Sequence, residues 1–232
     1  MIDGYVITLS DNPLSWHSSD RLIASSEKVK NEFKIHKTQA ITPDRVTTLM
    51  KQHRVKWNYP WEGSQLDLQS GLTKSAYQTV DPDKRIACFL SHYLLWKKCV
   101  REKKDIMIFE HDAYFTEKLD YSLLFQSPYD IIGLNDPMGA TRRAQLYHEG
   151  VSKRRGVNPV PKIDDNEVPQ GIAGNSAYFI KPEGAQKLIN LVREYGAWPN
   201  DAIMCKQLIP RKLGQLFPYV TKVQGIQSTT SL

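Results

Sequence analysis

The order of apolar and polar runs along the 232 residues predicts an α/β fold around a mostly parallel central sheet. Short β-branched segments alternate with amphipathic helical segments, the pattern of an α/β layer architecture. One run, Ile106 to Phe109, is apolar throughout and suits a strand buried on both faces. Polar and acidic residues follow where strands stop, and ligands of open α/β sheets bind outside those carboxyl ends. A content of 41% hydrophobic and 24% charged residues, with 13 Gly and 13 Pro, excludes a disordered, collagenous or disulfide-scaffold chain and fits one domain over 1–232.

Each element has a local reason. Tyr5, Val6, Ile7 and Leu9 form a β-branched strand ended by Ser10, Asp11, Asn12 and Pro13. Ser19 or Asp20 caps a helix to about Asn31, and a weaker strand follows from Phe33 to Ile41. Thr42 and Pro43 suit the cap and first position of a helix reaching Gln52. Residues 53–80 have no clean period and read as a long excursion rich in aromatics: Trp57, Tyr59, Trp61 and Tyr77. Asp81 and Pro82 open the clearest helix, in which Ile86, Phe89, Leu90, Tyr93, Trp96 and Val100 recur at helical spacing before a basic end. The apolar strand and Glu110-His111-Asp112 come next, followed by a strand from Tyr129 to Leu134. Residues 139–168 are polar, basic and aperiodic. Order returns with a strand from Asn175 to Ile180, a helix from Pro182 to about Tyr195, a short helix capped by Asn200, and a last strand from Gln215 to Val223.

The charge is local. Lys+Arg 31 against Asp+Glu 25 leaves +6. Between Gly139 and Val160, Arg142, Arg143, Lys153, Arg154 and Arg155 face only Glu149, a local +4. This stretch closes over a phosphate-bearing ligand, tracks a phosphate backbone, or is simply solvated. Cys88, Cys99 and Cys205 are odd in number and lack C-x-x-C spacing, so they encode neither a disulfide framework nor a thiolate zinc site. No apolar run approaches the ~18 residues of a membrane span, and the first residues lack the features of a signal peptide. A cytoplasmic location is the expectation.

Glu110 and Asp112 flank His111 at a strand end, and in continued extended backbone both carboxylates point to one side. Paired carboxylates attract Mg²⁺ or Mn²⁺, and a nearby imidazole tilts the choice toward Mn²⁺. The alternative is a solvated acidic pair. Trp57, Tyr59 and Trp61 either stack on a base or sugar ring or anchor the excursion to the core.

The run Arg85-Ile-Ala-Cys-Phe-Leu-Ser-His-Tyr-Leu-Leu-Trp96, followed by Ile106-Met-Ile-Phe-Glu-His-Asp-Ala113, resembles the core of glycosyltransferase family 25. These are lipopolysaccharide and collagen-type galactosyltransferases with a "G-x-x-x-C-x-x-S-H-x-x-x-W" helix and a strand ending "E-D-D". The likeness extends to Val6-Ile-Thr-Leu9, to 177–188 against "Y-x-I-S-x-x-G-A-x-x-L", and to Trp198-Pro-Asn-Asp201 against "P-V-D". It implies a GT-A type (Rossmann-like) fold that binds a nucleotide sugar, and a metal-dependent, inverting transfer. By position, Glu110 and Asp112 would hold the metal, while Thr8, Leu9 and Ser10 would lie beside the nucleotide. Ser91 and His92 would support the sugar-nucleotide site. Apart from that likeness, Arg142 and Arg143 of the basic stretch would reach the diphosphate if the stretch closes over the ligand. Asp201 would be the base that takes the acceptor proton, or else a first-turn acid of its helix. His92 is alternatively a buried structural histidine.

Two departures stand out. Lys84 occupies the place of the motif's Gly, and His111 replaces the middle acid, which makes His111 a candidate third ligand. After His148 the chain has no histidine, so Gln224 or Gln227 would be the nearest substitute for a C-terminal metal-ligating His. The reading is a hexosyltransferase using a UDP-sugar, a glycan or lipopolysaccharide-type acceptor, and Mn²⁺ or Mg²⁺. One rival replaces the acceptor by a hydroxylated nucleobase in DNA. Another is a non-catalytic, basic nucleic-acid-binding protein on the same fold.

Overall fold

Seven strands form the central sheet of the computed structural model, which describes residues 2–138 and 143–226. In chain order they are β1 (Asp3–Thr8), β2 (Lys34–Gln39), β5 (Ile106–Glu110), β7 (Ile131–Gly133), β8 (Gly156–Pro159), β9 (Ala177–Ile180) and β10 (Leu213–Phe217). Their spatial order is β2-β1-β5-β9-β7-β10-β8. β2, β1 and β5 run parallel, as do β7 and β10, whereas β9 and β8 oppose their neighbours. The mostly parallel sheet expected from the sequence is present, with five of seven strands sharing one direction.

Helices cover both faces. α1 (Pro13–Lys28) packs on one side, while α3 (Pro82–Glu102) and α6 (Pro182–Tyr195) pack together on the other. The side-chain period of two divides β5 between them: Ile106 and Ile108 join the α3/α6 core, Met107 and Phe109 the α1 core. That two-sided burial explains the uninterrupted apolar run.

Several expected boundaries shift. α1 begins at Pro13, because Asn12 Oδ1 accepts from Ser15 N at 3.0 Å and Pro13 supplies the first turn; Ser19 lies mid-helix, buried. After a 3-10 turn (Pro43–Arg45), α2 (Val46–His53) follows as expected, and Asp81 caps α3 by accepting from Asp83 N. The 53–80 excursion contains a hairpin, β3 (Ser64–Asp67) and β4 (Leu72–Ser75). The basic stretch contains α5 (Ala144–Val151), whose Ala144, Tyr147 and Val151 are buried at spacings of three and four, and the edge strand β8. The single final strand is two, β10 and β11 (Thr221–Val223), separated around Pro218. β11 pairs with β6 (Ala113–Phe115), a short strand hidden in the sequence behind the acidic triplet. Two four-residue helices, α4 (Ser122–Phe125) and α7 (Asn200–Ile203), complete the chain.

Gly133 in β7 permits a close approach. A Cβ there would collide with Gln215 Oε1 and Ile172 Cγ2, and Gln215 is fully buried, its amide nitrogen donating to Gly133 O (2.9 Å) and Asn135 O (3.2 Å). Gly133→Ala is expected to destabilise the protein by roughly 1–3 kcal/mol through overpacking. A melting temperature within one degree of wild type would refute that packing account.

Candidate functional site

β2, β1 and β5 end on the same edge of the sheet, in register: Thr8 beside Gln39, Ile7 beside Glu110. Beyond that edge lies a cleft of about 460 Å³, within the usual range for small-molecule sites. On the β2 side its wall is apolar, with Ala40, Ile41 and Pro43 joined by Leu9 and Leu14. On the β5 side are Glu110, His111 and Asp112, with Cys88 and His92 from α3, while Ser91 of the same helix lies against the β2-side wall. Two strand spacings separate the sides, about 10 Å.

Glu110 closes β5 and accepts from His92 Nε2 at 3.2 Å. Burial alone would raise its carboxyl, but the hydrogen bond from His92 and the nearby Arg85 guanidinium outweigh it and hold Glu110 below its ordinary range. The chain turns at His111 and Asp112 before β6, so the extended geometry expected to align both carboxylates does not continue. The turn still leaves Asp112 on the cleft. Among the described residues Asp112 Oδ1 is buried without a hydrogen-bond partner, and burial, then the charge of Glu110, pushes this carboxyl up to about 7. An orphaned carboxylate oxygen beside a second carboxylate is a donor set that suits a hard divalent cation. His111 lines the same cleft, and burial lowers its pKa, favouring the neutral imidazole that ligates metals. Cys88 Sγ, a His92 ring nitrogen and a Glu110 oxygen also lie within 4.8 Å of one another.

The remaining expected residues divide. Leu9 lines the cleft, but Thr8 is buried and bonded to Ser19 Oγ (2.7 Å), and Ser10 is exposed with its hydroxyl on Asp11 (2.9 Å). Ser91 Oγ accepts from Ile41 N and donates to Ala87 O, both at 2.9 Å, so it pins the apolar wall to α3. Arg143 is not brought to the cleft: it pairs with Asp164 at 3.0 Å and donates to Ile163 O, in a separate surface depression. Arg142 lies outside the described residues, as does Gln227.

Gln224 is a clamp on the acidic turn. Its amide nitrogen donates to Ser18 O, His111 O and Ala113 O, and its backbone N–H to Asp112 O at 2.7 Å, while Oε1 is buried without a partner.

Asp201 stands in α7, solvent-exposed on one side yet crowded by protein. That crowding raises its carboxyl; Arg85 offsets the effect, Glu110 adds to it, and a hydrogen bond from Tyr77 lowers it again. The Arg85 charge thus acts on both Asp201 and Glu110. The aromatic excursion is anchored: Trp57 stacks on Trp61 (5.1 Å, 9°) and meets Phe89 edge-on, while Tyr59 packs on Trp198. Lys74, 1% exposed, reinforces it by donating to Asn58 O at 2.8 Å.

Sequence reasoning gave no role to Arg85 or Asn175. Among the described residues, Arg85 Nε and both side-chain amide atoms of Asn175 are buried without partners, a condition native proteins rarely leave unexplained. Arg85 heads the helix motif quoted above, which was the available signal; Asn175 had none beyond being polar at the start of a buried strand.

Glycosyltransferase family 25 (LPS biosynthesis protein) matches residues 17–204. Among solved structures, the chain is similar to mouse xyloside xylosyltransferase 1 in its apo form (11% identity, 93% of this chain and 84% of that one, TM-score 0.44). It is also similar to the galactosyltransferase LgtC in complex with donor and acceptor sugar analogs (9%, 97% and 87%, 0.46) and to A197 from STIV (12%, 93% and 82%, 0.39). No curated protein matches. Among the described residues, no helix is long and apolar enough to cross a membrane.

Proposed function

The chain belongs to glycosyltransferase family 25, and from that premise we propose that it moves a hexosyl group from a UDP-sugar to an acceptor hydroxyl of a glycan or lipopolysaccharide-type molecule, with inversion. Membership makes it a glycosyltransferase, so the non-catalytic alternative is dropped. The observation that carries the finer reading is the cleft itself. An apolar wall suited to a flat base lies about two strand spacings from two carboxylates, one with an orphaned oxygen. A nucleoside diphosphate has that polarity, apolar at one end and cation-binding at the other.

Glu110 and Asp112 would hold Mn²⁺ or Mg²⁺, with His111 as a further ligand. Such an ion would supply charge neutralisation at the diphosphate as the sugar leaves. Leu9, Leu14, Ile41 and Pro43 would contact the base, and Ser91 holds that wall in place. Asp201, raised toward a useful basicity, would accept the proton of the attacking hydroxyl. Arg85, whose charge acts on both Glu110 and Asp201, would keep those carboxylates ionised at mutual close range.

The test is thermal stabilisation by UDP and a panel of nucleotide sugars, with and without Mn²⁺. Saturation to 100 times Kd is expected to add about 2.7 kcal/mol, several degrees for a chain of this size, and only when the cation is present. No shift with any nucleotide sugar, together with no donor hydrolysis, would sink the reading.

A further inference from the structure

The motif residues His92 and Trp96 of α3 and Tyr178 of β9 are linked to Glu110 by three hydrogen bonds in series. Trp96 Nε1 donates to Tyr178 OH at 2.9 Å, Tyr178 OH meets His92 Nδ1 at 2.9 Å, and His92 Nε2 meets Glu110 Oε1 at 3.2 Å. Trp96, Tyr178 and His92 are each fully buried.

The chemistry fixes the direction of every bond. An indole nitrogen is a donor only, so Tyr178 oxygen accepts from Trp96. Among the described residues, the only acceptor within reach of the Tyr178 hydroxyl hydrogen is His92 Nδ1. A buried hydroxyl left without an acceptor loses its full desolvation cost, so the hydrogen goes there. Nδ1 is then an acceptor, and the ring proton of neutral His92 sits on Nε2, aimed at Glu110. An imidazolium, with protons on both nitrogens, would orphan the Tyr178 hydrogen.

We propose that Trp96, Tyr178 and His92 form a one-way relay that locks His92 as its Nε2–H tautomer and positions Glu110 by one carboxylate oxygen, leaving the other for the cation. Trp96, Tyr178 and His92 are positioning residues, and His92 is not itself a metal ligand, because its cleft-side nitrogen carries a proton. This rests on the metal-site reading given above and deepens it. It also accounts for the Cys88, His92 and Glu110 atoms lying within 4.8 Å of one another: the hydrogen bond to Glu110 brings His92 there. Outer-shell partners of ligating groups commonly carry 10–100-fold of metal affinity.

Two readouts test it, one in metal-free protein. Long-range ¹H–¹⁵N correlation of the histidine rings, with the His92 signals assigned by their loss in His92→Gln, is expected to show the Nε2–H tautomer in wild type and a changed tautomer or protonation state in Tyr178→Phe. An Nδ1–H or doubly protonated His92 in wild type overturns the relay, as does an unaltered ring in folded Tyr178→Phe. The second readout is Mn²⁺ binding, followed by loss of the free-ion electron paramagnetic resonance signal. His92→Leu is expected to weaken binding by about 10–100-fold, whereas His92→Gln, whose amide can replace the Nε2–H donor, is expected to stay within a few-fold of wild type. Equal losses in the two variants would make His92 a direct ligand and refute the positioning role. Should wild type bind no Mn²⁺, the cation reading fails, and the tautomer measurement alone decides the relay.

Discussion

Asp112→Asn is expected to abolish the Mn²⁺-dependent stabilisation by UDP and to lower turnover by at least a hundredfold. The wild-type side chain presents a buried carboxylate oxygen without a hydrogen-bond partner among the described residues, next to the charge of Glu110. Two like charges held together in a partly dry cleft oppose folding, and a structure maintains them when something positive is meant to join them. Asparagine keeps the shape and removes the charge, so the cation loses one of its two anionic ligands. Electrostatic stabilisation of a leaving diphosphate is worth several kcal/mol, and each 1.36 kcal/mol is tenfold in rate. The metal-free variant is expected to melt no lower than wild type, since its repulsion with Glu110 is gone. That pairing separates the metal role from a structural one: a residue needed only for folding would lower the metal-free melting temperature. A full Mn²⁺-linked shift in Asp112→Asn would refute the assignment.

How much of this was legible beforehand follows from how local each signal is. The start of α3 and both ends of α6 could be read to within a residue, because first-turn prolines (Asp81-Pro82, Lys181-Pro182) coincide with strong apolar periodicity. β5 was legible since both its faces are buried. α1 was misplaced because its inward face is serine, with Ser15, Ser18, Ser19, Ser25 and Ser26 buried; small polar residues that bond neighbouring backbone, as Ser19 does to Ser15 O and Ser25 to Leu22 O, carry no hydrophobic period. β6 and β11 escaped notice because three-residue strands are defined by each other, across more than a hundred residues. At the site, the expectation for Glu110 and Asp112 rested on continued extended backbone, whereas the chain turns at His111; both side chains still line the cleft. Arg143 was placed by charge counting, which cannot see that Asp164 lies against it. The roles of Tyr178 and Trp96 depend on which atoms meet across strand and helix, which spacing along one chain does not encode.

Asp201→Asn is expected to lower kcat by about 10²–10⁴-fold, the usual contribution of a positioned general base, while leaving Mn²⁺-dependent UDP binding intact. The carboxyl is raised by the protein crowded around it and by Glu110, and brought back by Arg85 and the Tyr77 hydrogen bond. A base needs this balance: ionised in the working protein, yet more basic than a free carboxylate. The competing account makes Asp201 a first-turn acid of α7, worth about 0.3–1 kcal/mol through the helix dipole, and α7 is only four residues long. Removing such a residue would lower the melting temperature slightly and leave kcat unchanged. Tyr77→Phe discriminates further. Losing a hydrogen bond that favours the ionised form moves the Asp201 carboxyl higher, so the acid limb of the kcat profile against pH is expected to shift toward higher pH, with activity restored once the pH exceeds the new value. If Asp201 is structural, that limb stays where it is in wild type.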